Sequence, residues 1–175
     1  MKIGNDKEPR TVRFIDLFCG SGGFRLAAKQ ACQKSLLRAD CVFSSDIDPN
    51  CGRAYEANFG ECPVGDISKV DARDVPSHDL LLAGFPCQPF SIIGHKRGFE
   101  DARGTLFFDI ARILDAKKPL TFVLENIKLL VGHNEGKTLK RILATLKELG
   151  YHVQTKVLDA LNFGLLCESC CATWS

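Results

Sequence analysis

The sequence contains no long apolar run; none of its segments approaches the roughly 18–20 residues that a helix needs to cross a bilayer. The first ten residues, MKIGNDKEPR, are polar and lack the apolar stretch of an export signal. An excess of charge of one sign is also missing: 23 Lys and Arg face 21 Asp and Glu, for a formal net charge of +2. These absences argue against a helical membrane protein and against an exported one, so a cytoplasmic protein is expected. They also leave no chain-wide basic footprint for nucleic acid, so any such surface must be local or supplied from outside this chain. Internal repeats, low-complexity tracts and linkers are absent. The length then suits one domain with a real core and is too short for two ordinary ones.

Cysteine, in contrast, is abundant, with nine in 175 residues. The number is odd, there is no export signal, and the first six are scattered, so reduced thiols are expected and not a disulfide framework. Cys167 and Cys170 form one Cys-x-x-Cys, but without a second pair this is thin support for a metal site, and no metal is expected.

Strand and helix signals alternate, which predicts an α/β fold with a mainly parallel sheet. Strands are expected at Val12 to Phe18, Cys41 to Ser45, Asp79 to Ala83, Leu120 to Leu124 and Tyr151 to Leu158, with a short extended piece at Gly65-Asp66-Ile67. Helices are expected at Phe24 to Lys34, Pro49 to Phe59, Leu106 to Lys117 and Thr138 to Leu149, the last two from apolar residues at helical spacing. Gln88 to Arg103 is polar, glycine-bearing and basic, and reads as a long mobile loop of the kind that is usually functional.

The residues that could do chemistry share a placement. Asp16 to Gly23, Asp46, Asp66, Pro86-Cys87 and Glu125 all fall at or just past the C-terminal ends of expected strands, the edge where open α/β sheets bind ligands. Gly20-Ser21-Gly22-Gly23 is a strand-to-helix turn that would let a ligand approach the backbone, or is simple turn chemistry. It is not the dinucleotide pattern, because Arg25 occupies the third glycine position. Asp46 could accept both hydroxyls of a ribose, or could be the N-terminal acid of the helix at Pro49. Asp66 could accept from an adenine amino group, or be an ordinary turn aspartate. Cys87 could be a nucleophile in a polar setting, or one more inert thiol among nine. Glu125 follows an apolar strand, so its carboxyl is expected part-buried, as a proton donor or as a capping or salt-bridged group.

Taken in order, the strings Asp16-Leu-Phe-Cys-Gly-Ser-Gly-Gly23, Asp46-Ile-Asp48, Gly65-Asp-Ile67, Gly84-Phe-Pro-Cys-Gln-Pro-Phe-Ser91, Arg103-Gly-Thr-Leu-Phe107, Glu125-Asn-Ile127 and Asn162-Phe-Gly164 resemble the bacterial DNA cytosine-5 methyltransferases. The likeness covers about residues 12 to 165. It implies a Rossmann-like fold that binds S-adenosyl-L-methionine (AdoMet), with a twisted, mainly parallel sheet and helices on both faces. Asp16, Phe18, Gly20, Gly22, Gly23 and Pro86 would hold the cofactor, Asp46 its ribose, and Ile47, Asp66 and Ile67 its adenine. Cys87 would add to C6 of a flipped-out cytosine, with Pro86, Glu125 and Asn126 beside it. Gln88, Ser91, Lys96, Arg97 and Arg103 would be loop contacts to double-stranded DNA. The resemblance also implies a restriction-modification setting with a cognate endonuclease, and a monomer is expected. A tRNA cytosine-5 methyltransferase shares the scaffold and stays open as an alternative, as does a non-catalytic fragment that complements a second chain.

After Leu165 the resemblance stops. Residues 166–175 form a cysteine-rich tail with no apolar periodicity, where the family continues with arginines, a further strand and a target-recognition region. The expected organisation is an extension at 1–11, a partial catalytic domain at 12–165 and this atypical tail, with an out-of-frame end as its origin. A sheet missing its last strand would expose an edge, predicting a marginal domain with weak AdoMet binding and little methylation alone.

Overall fold

The computed structural model describes residues 9–86, 106–163 and 171–174. Seven apolar-rich residues, Thr11–Leu17, form strand β1, whose last four are fully buried. Burial on both faces is the signature of a central parallel strand. On one side β1 pairs in parallel with β2 (Arg38–Ser45), and on the other with β3 (Leu80–Gly84). Next to β3 lies β4 (Thr121–Ile127), also parallel. The chain thus leaves β1 for one neighbour and returns on its other flank. That reversal creates a topological switch point, with a crevice at the C-terminal ends of β1 and β3.

Helices α1 (Gly23–Lys34), α2 (Pro49–Phe59), α3 (Leu106–Lys117), α4 (Leu129–Gly132) and α5 (Lys137–Glu148) connect the strands and cover the sheet. Phe107, Ile110, Ala111, Ile113 and Leu114 of α3 and Ile142 and Leu146 of α5 join Ile15, Leu17, Leu81, Ala83, Phe122 and Leu124 in one buried cluster. Their spacing of three and four residues puts each set on one helix face. No helix among the described residues is long and apolar enough to cross a membrane.

The tail departs from expectation. Cys171–Trp174 is a strand, β6, and the sheet runs β2-β1-β3-β4-β6-β5. It lies antiparallel to both β4 and β5 (Thr155–Leu158), in the place where a missing strand was expected. Four residues are too few for an alternating pattern to be read, but β4 and β5 each offer an unpaired backbone edge, and an extended segment satisfies both.

This pairing also moves a second boundary. Glu125 and Asn126 lie inside β4, not after it, because Glu125 pairs with Thr173 and Asn126 with Ala172. Pairing with β3 ends at Gly84 opposite Glu125, so β6 alone carries β4 on to Ile127. β5 is shorter than expected. Tyr151 is held by its N–H to the Leu146 carbonyl and by its hydroxyl to the Pro119 carbonyl, which ties that end to α5 and to the turn before β4. The long loop expected at 88–103 lies outside the described residues.

Candidate functional site

At the switch point the glycine turn sits between β1 and α1. Phe18, Gly20 and Gly22 all take left-handed backbone, at φ 55°, 54° and 95°. The turn is braced from β2: the Cys19 N–H donates to the Ser45 carbonyl, and the Gly20 N–H donates to Asp46 Oδ2 at 2.8 Å. Asp46 Oδ1 accepts from the Asp48 N–H at 2.9 Å. Helix α2 is instead capped by Asp48, which accepts from the Asn50 N–H. The helix-acid reading of Asp46 therefore falls to Asp48. Asp46 still has lone pairs to offer at the mouth of a cleft, since each carboxylate oxygen can accept twice.

That cleft has a volume of about 450 Å³ and is lined by Phe18, Ser45, Asp46, Ile47, Gly65, Asp66, Ile67, Ser68, Gly84, Pro86 and Leu106. The volume falls within the roughly 300–1,000 Å³ typical of small-molecule sites. Ile47 is 72 % exposed and lines the cleft. Asp66 caps the short turn at Ile67–Lys69: its Oδ1 accepts from the Ser68 N–H and hydroxyl. Those Ser68 hydrogen bonds, with Lys69 nearby, hold its carboxyl below the usual range. The turn reading of Asp66 is thus its observed geometry, and the same residue also lines the cleft. Apolar walls for a base, acceptors for hydroxyls and nearby carboxylates for a cationic ligand together fit AdoMet.

Some expected cofactor residues are elsewhere. Asp16 is fully buried, under the turn and off the cleft wall. Gly22, the N-cap of α1, faces away from the cleft, toward α2. A Cβ there would collide with the Phe59 ring, which is stacked at 4.6 Å under the Arg25 guanidinium. At Gly60, also left-handed at φ 74°, a Cβ meets open space. Both alanine variants share the backbone penalty, and only Gly22→Ala adds overpacking. Gly22→Ala is therefore expected to cost about 1–3 kcal/mol more than Gly60→Ala in urea unfolding. Gly20 and Gly23 have open space around them and do not line the cleft, so the turn acts by shaping the backbone that holds Asp46.

Glu125 is half-buried beside Gly84 and is not itself among the residues lining the cleft. Its Oε2 lies 3.4 Å from where a Gly84 Cβ would stand, so the absent side chain at Gly84 leaves it room. Asn126 is 1 % exposed and does not face the cleft; its Nδ2 donates to the Phe85 carbonyl at 2.7 Å. It is a positioning residue: it fixes the backbone that leads from β3 into Pro86. Phe85 is anchored on its other side by the Phe107 ring, 6.1 Å away. Cys87, Gln88, Ser91, Lys96, Arg97 and Arg103 lie outside the described residues. Ser45, Gly65, Ser68, Gly84 and Leu106 line the cleft without having been named as site residues, although Gly65, Gly84 and Leu106 stand in the quoted strings. The small residues and the helix-initial leucine carry no chemical signal of their own, only proximity to Asp46, Asp66 and Pro86.

The family model for C-5 cytosine-specific DNA methylases matches residues 12–166. The chain is 56 % identical over 152 residues to the type II methyltransferase M.NgoBI of Neisseria gonorrhoeae, covering 86 % of this chain and 46 % of that protein. It is 51 % identical over 158 residues to M.DsaV of Dactylococcopsis salina, covering 90 % of this chain and 43 % of the relative. It therefore spans less than half the length of these relatives. Among solved structures, the S. pombe Dnmt2 methyltransferase superposes with a TM-score of 0.72 at 26 % identity, covering 93 % of this chain and 50 % of that one.

Proposed function

The chain belongs to the C-5 cytosine-specific DNA methylase family, and from that premise we propose that it carries the cofactor cleft and the nucleophile of a DNA cytosine-5 methyltransferase of a restriction-modification system. One observation carries the reading. Phe18, Asp46, Ile47, Asp66, Ile67 and Pro86, drawn from four separate segments, line one cleft at the sheet's switch point. Pro86 immediately precedes Cys87.

Bound AdoMet supplies an electrophilic methyl group. The protein's task is to make cytosine C5 nucleophilic enough to take it. The Cys87 thiolate adds to C6, forming an S–C6 bond and giving C5 enamine character. Glu125 hydrogen-bonds or protonates N3, where charge develops. After transfer, the C5 proton passes to water, its bonding pair re-forms the C5–C6 double bond, and the S–C6 bond breaks with its pair leaving on the Cys87 thiolate. Asp46 would hold the ribose, Ile47 would pack on the adenine, and Asp66 with Ile67 would contact its edge. The target base has to leave the helix to reach this site. Gln88, Ser91, Lys96, Arg97 and Arg103 are proposed as contacts to double-stranded DNA. Activity of this chain by itself is expected to be weak.

The test is methyl-labelled AdoMet with the chain, alone and mixed with the C-terminal half of a relative, offered duplex DNA or tRNA in parallel. Label on cytosine C5 of DNA in the mixture is expected. Label on tRNA alone would replace the substrate, and no label on either would overturn the reading.

A further inference from the structure

We infer that Arg112 is a positioning residue for the adenosine side of the cleft, locking the wall at 66–70 onto α3. The inference rests on the cofactor reading above.

The wall is not held by regular structure. Beyond one isolated bridge from Ser45 to Val64, the stretch from Gly65 to Val70 makes only a single short turn at Ile67–Lys69. Such a turn has few internal hydrogen bonds and little stability of its own. Its carbonyls need partners, because the segment packs against the core through buried Ile67 and Val75.

Arg112 supplies those partners from α3. Its Nη1 donates to the Val70 carbonyl at 2.7 Å and its Nη2 to the Ile67 carbonyl. Its Nε donates to Asp109 Oδ1 at 2.9 Å, one turn back on the same helix, which aims the guanidinium. One planar group thus bridges both ends of the turn that presents Ile67 and Ser68 to the cleft. The two carbonyls lie 42 and 45 residues away in sequence. A lysine could not replace this fork, since its ammonium is a point donor on a flexible stem. Lys117, further along α3, donates to the Arg73 carbonyl and extends the same seam.

The geometry has a second consequence. Leu106, the first residue of α3, lines the cleft directly. Through Arg112 the same helix also holds the 66–70 wall, so two parts of the cleft lining follow from the seating of one helix.

The experiment measures AdoMet binding by calorimetry to the 175-residue chain and to Arg112→Ala and Arg112→Lys, with adenosine as a second ligand and thermal unfolding in parallel. Arg112→Ala is expected to weaken AdoMet by about tenfold or more. Adenosine should weaken by the same factor, because the loss lies in the half of the ligand that it shares. Arg112→Lys should restore the melting temperature more fully than it restores affinity, which a merely structural arginine would not do. Should Arg112→Ala fail to fold, Arg112→Lys and Asp109→Asn, which removes the aiming carboxylate, carry the test. Wild-type affinity in folded variants, or affinity that tracks melting temperature alone, overturns the role of Arg112. Failure of the unaltered chain to bind AdoMet or adenosine overturns instead the cofactor reading, and the inference with it.

Discussion

Cys87→Ser abolishes covalent capture of DNA containing 5-fluorocytosine and lowers methyl transfer by roughly 1,000-fold or more. The expectation follows from what each atom must do. A fluorine at C5 cannot leave as a proton, so the S–C6 bond cannot be undone and the protein stays attached to the base. A serine hydroxyl ionises far less readily than a thiol and does not add at neutral pH. Around position 87 the backbone is well prepared: Asn126 holds the Phe85 carbonyl, Phe107 backs the Phe85 ring, and Pro86 lines the cleft. Serine is close to isosteric and sits beyond that clamp, so AdoMet affinity and melting temperature should stay unchanged. Exposed Cys62 provides the control, because Cys62→Ser removes a thiol that does not line the cleft and should leave capture intact. The readout is a band of DNA-bound protein on a denaturing gel, from the chain mixed with a C-terminal half. Capture that survives in Cys87→Ser would move the nucleophile elsewhere.

How much of this was legible in the sequence depended on whether a residue's partners lie nearby in the chain. The doubly buried strand β1 and the helical spacing of α3 and α5 are local patterns, and they read correctly to within a residue or two. Asp46 and Asp48 were harder. Either could cap α2, and only the bonds from Gly20 and Asp48 N–H to Asp46 separate them. Arg112 was invisible, because an arginine on an amphipathic helix looks solvent-facing until its distant carbonyl partners are known. Asn126 looked like a group facing the substrate because it follows Glu125. Its inward turn reflects strand alternation in a β4 that is lengthened by pairing with β6. Strand β6 itself was hidden because its pairing depends on edges built by residues far upstream. Asp16 carried the right motif position, but a motif does not say which side of the turn a side chain takes.

Asp16→Asn is expected to flatten the pH dependence of stability and to raise stability most in mild alkali. Asp16 is fully buried, and neither carboxylate oxygen closes a hydrogen bond of normal geometry. Burial pushes its carboxyl up from 3.8 to about 7; Arg25, through its charge and backbone N–H, offsets part of this, and the neighbouring Asp46 adds to it. In the unfolded chain the group titrates near its ordinary value. Between about pH 4 and 7 the folded state therefore holds a proton that the unfolded state has lost. Stability falls as pH rises through that window, is fully present below it and is gone above it. A shift of about three units corresponds to roughly 4 kcal/mol, an order-of-magnitude figure. Asparagine has nearly the shape and polarity of the protonated acid and cannot ionise. The variant should match the parent near pH 4 and exceed it by up to that amount at pH 8, where Asp16 would otherwise be a buried charge beside Asp46. Other carboxylates titrate alike in both proteins, so the difference between the two urea-unfolding curves, followed from pH 4 to 8, isolates this one group. A difference that stays constant with pH would mean that Asp16 ionises freely in the folded protein. A difference that grows toward pH 8 would establish that the cofactor turn is built over a carboxyl that stays largely neutral below pH 7.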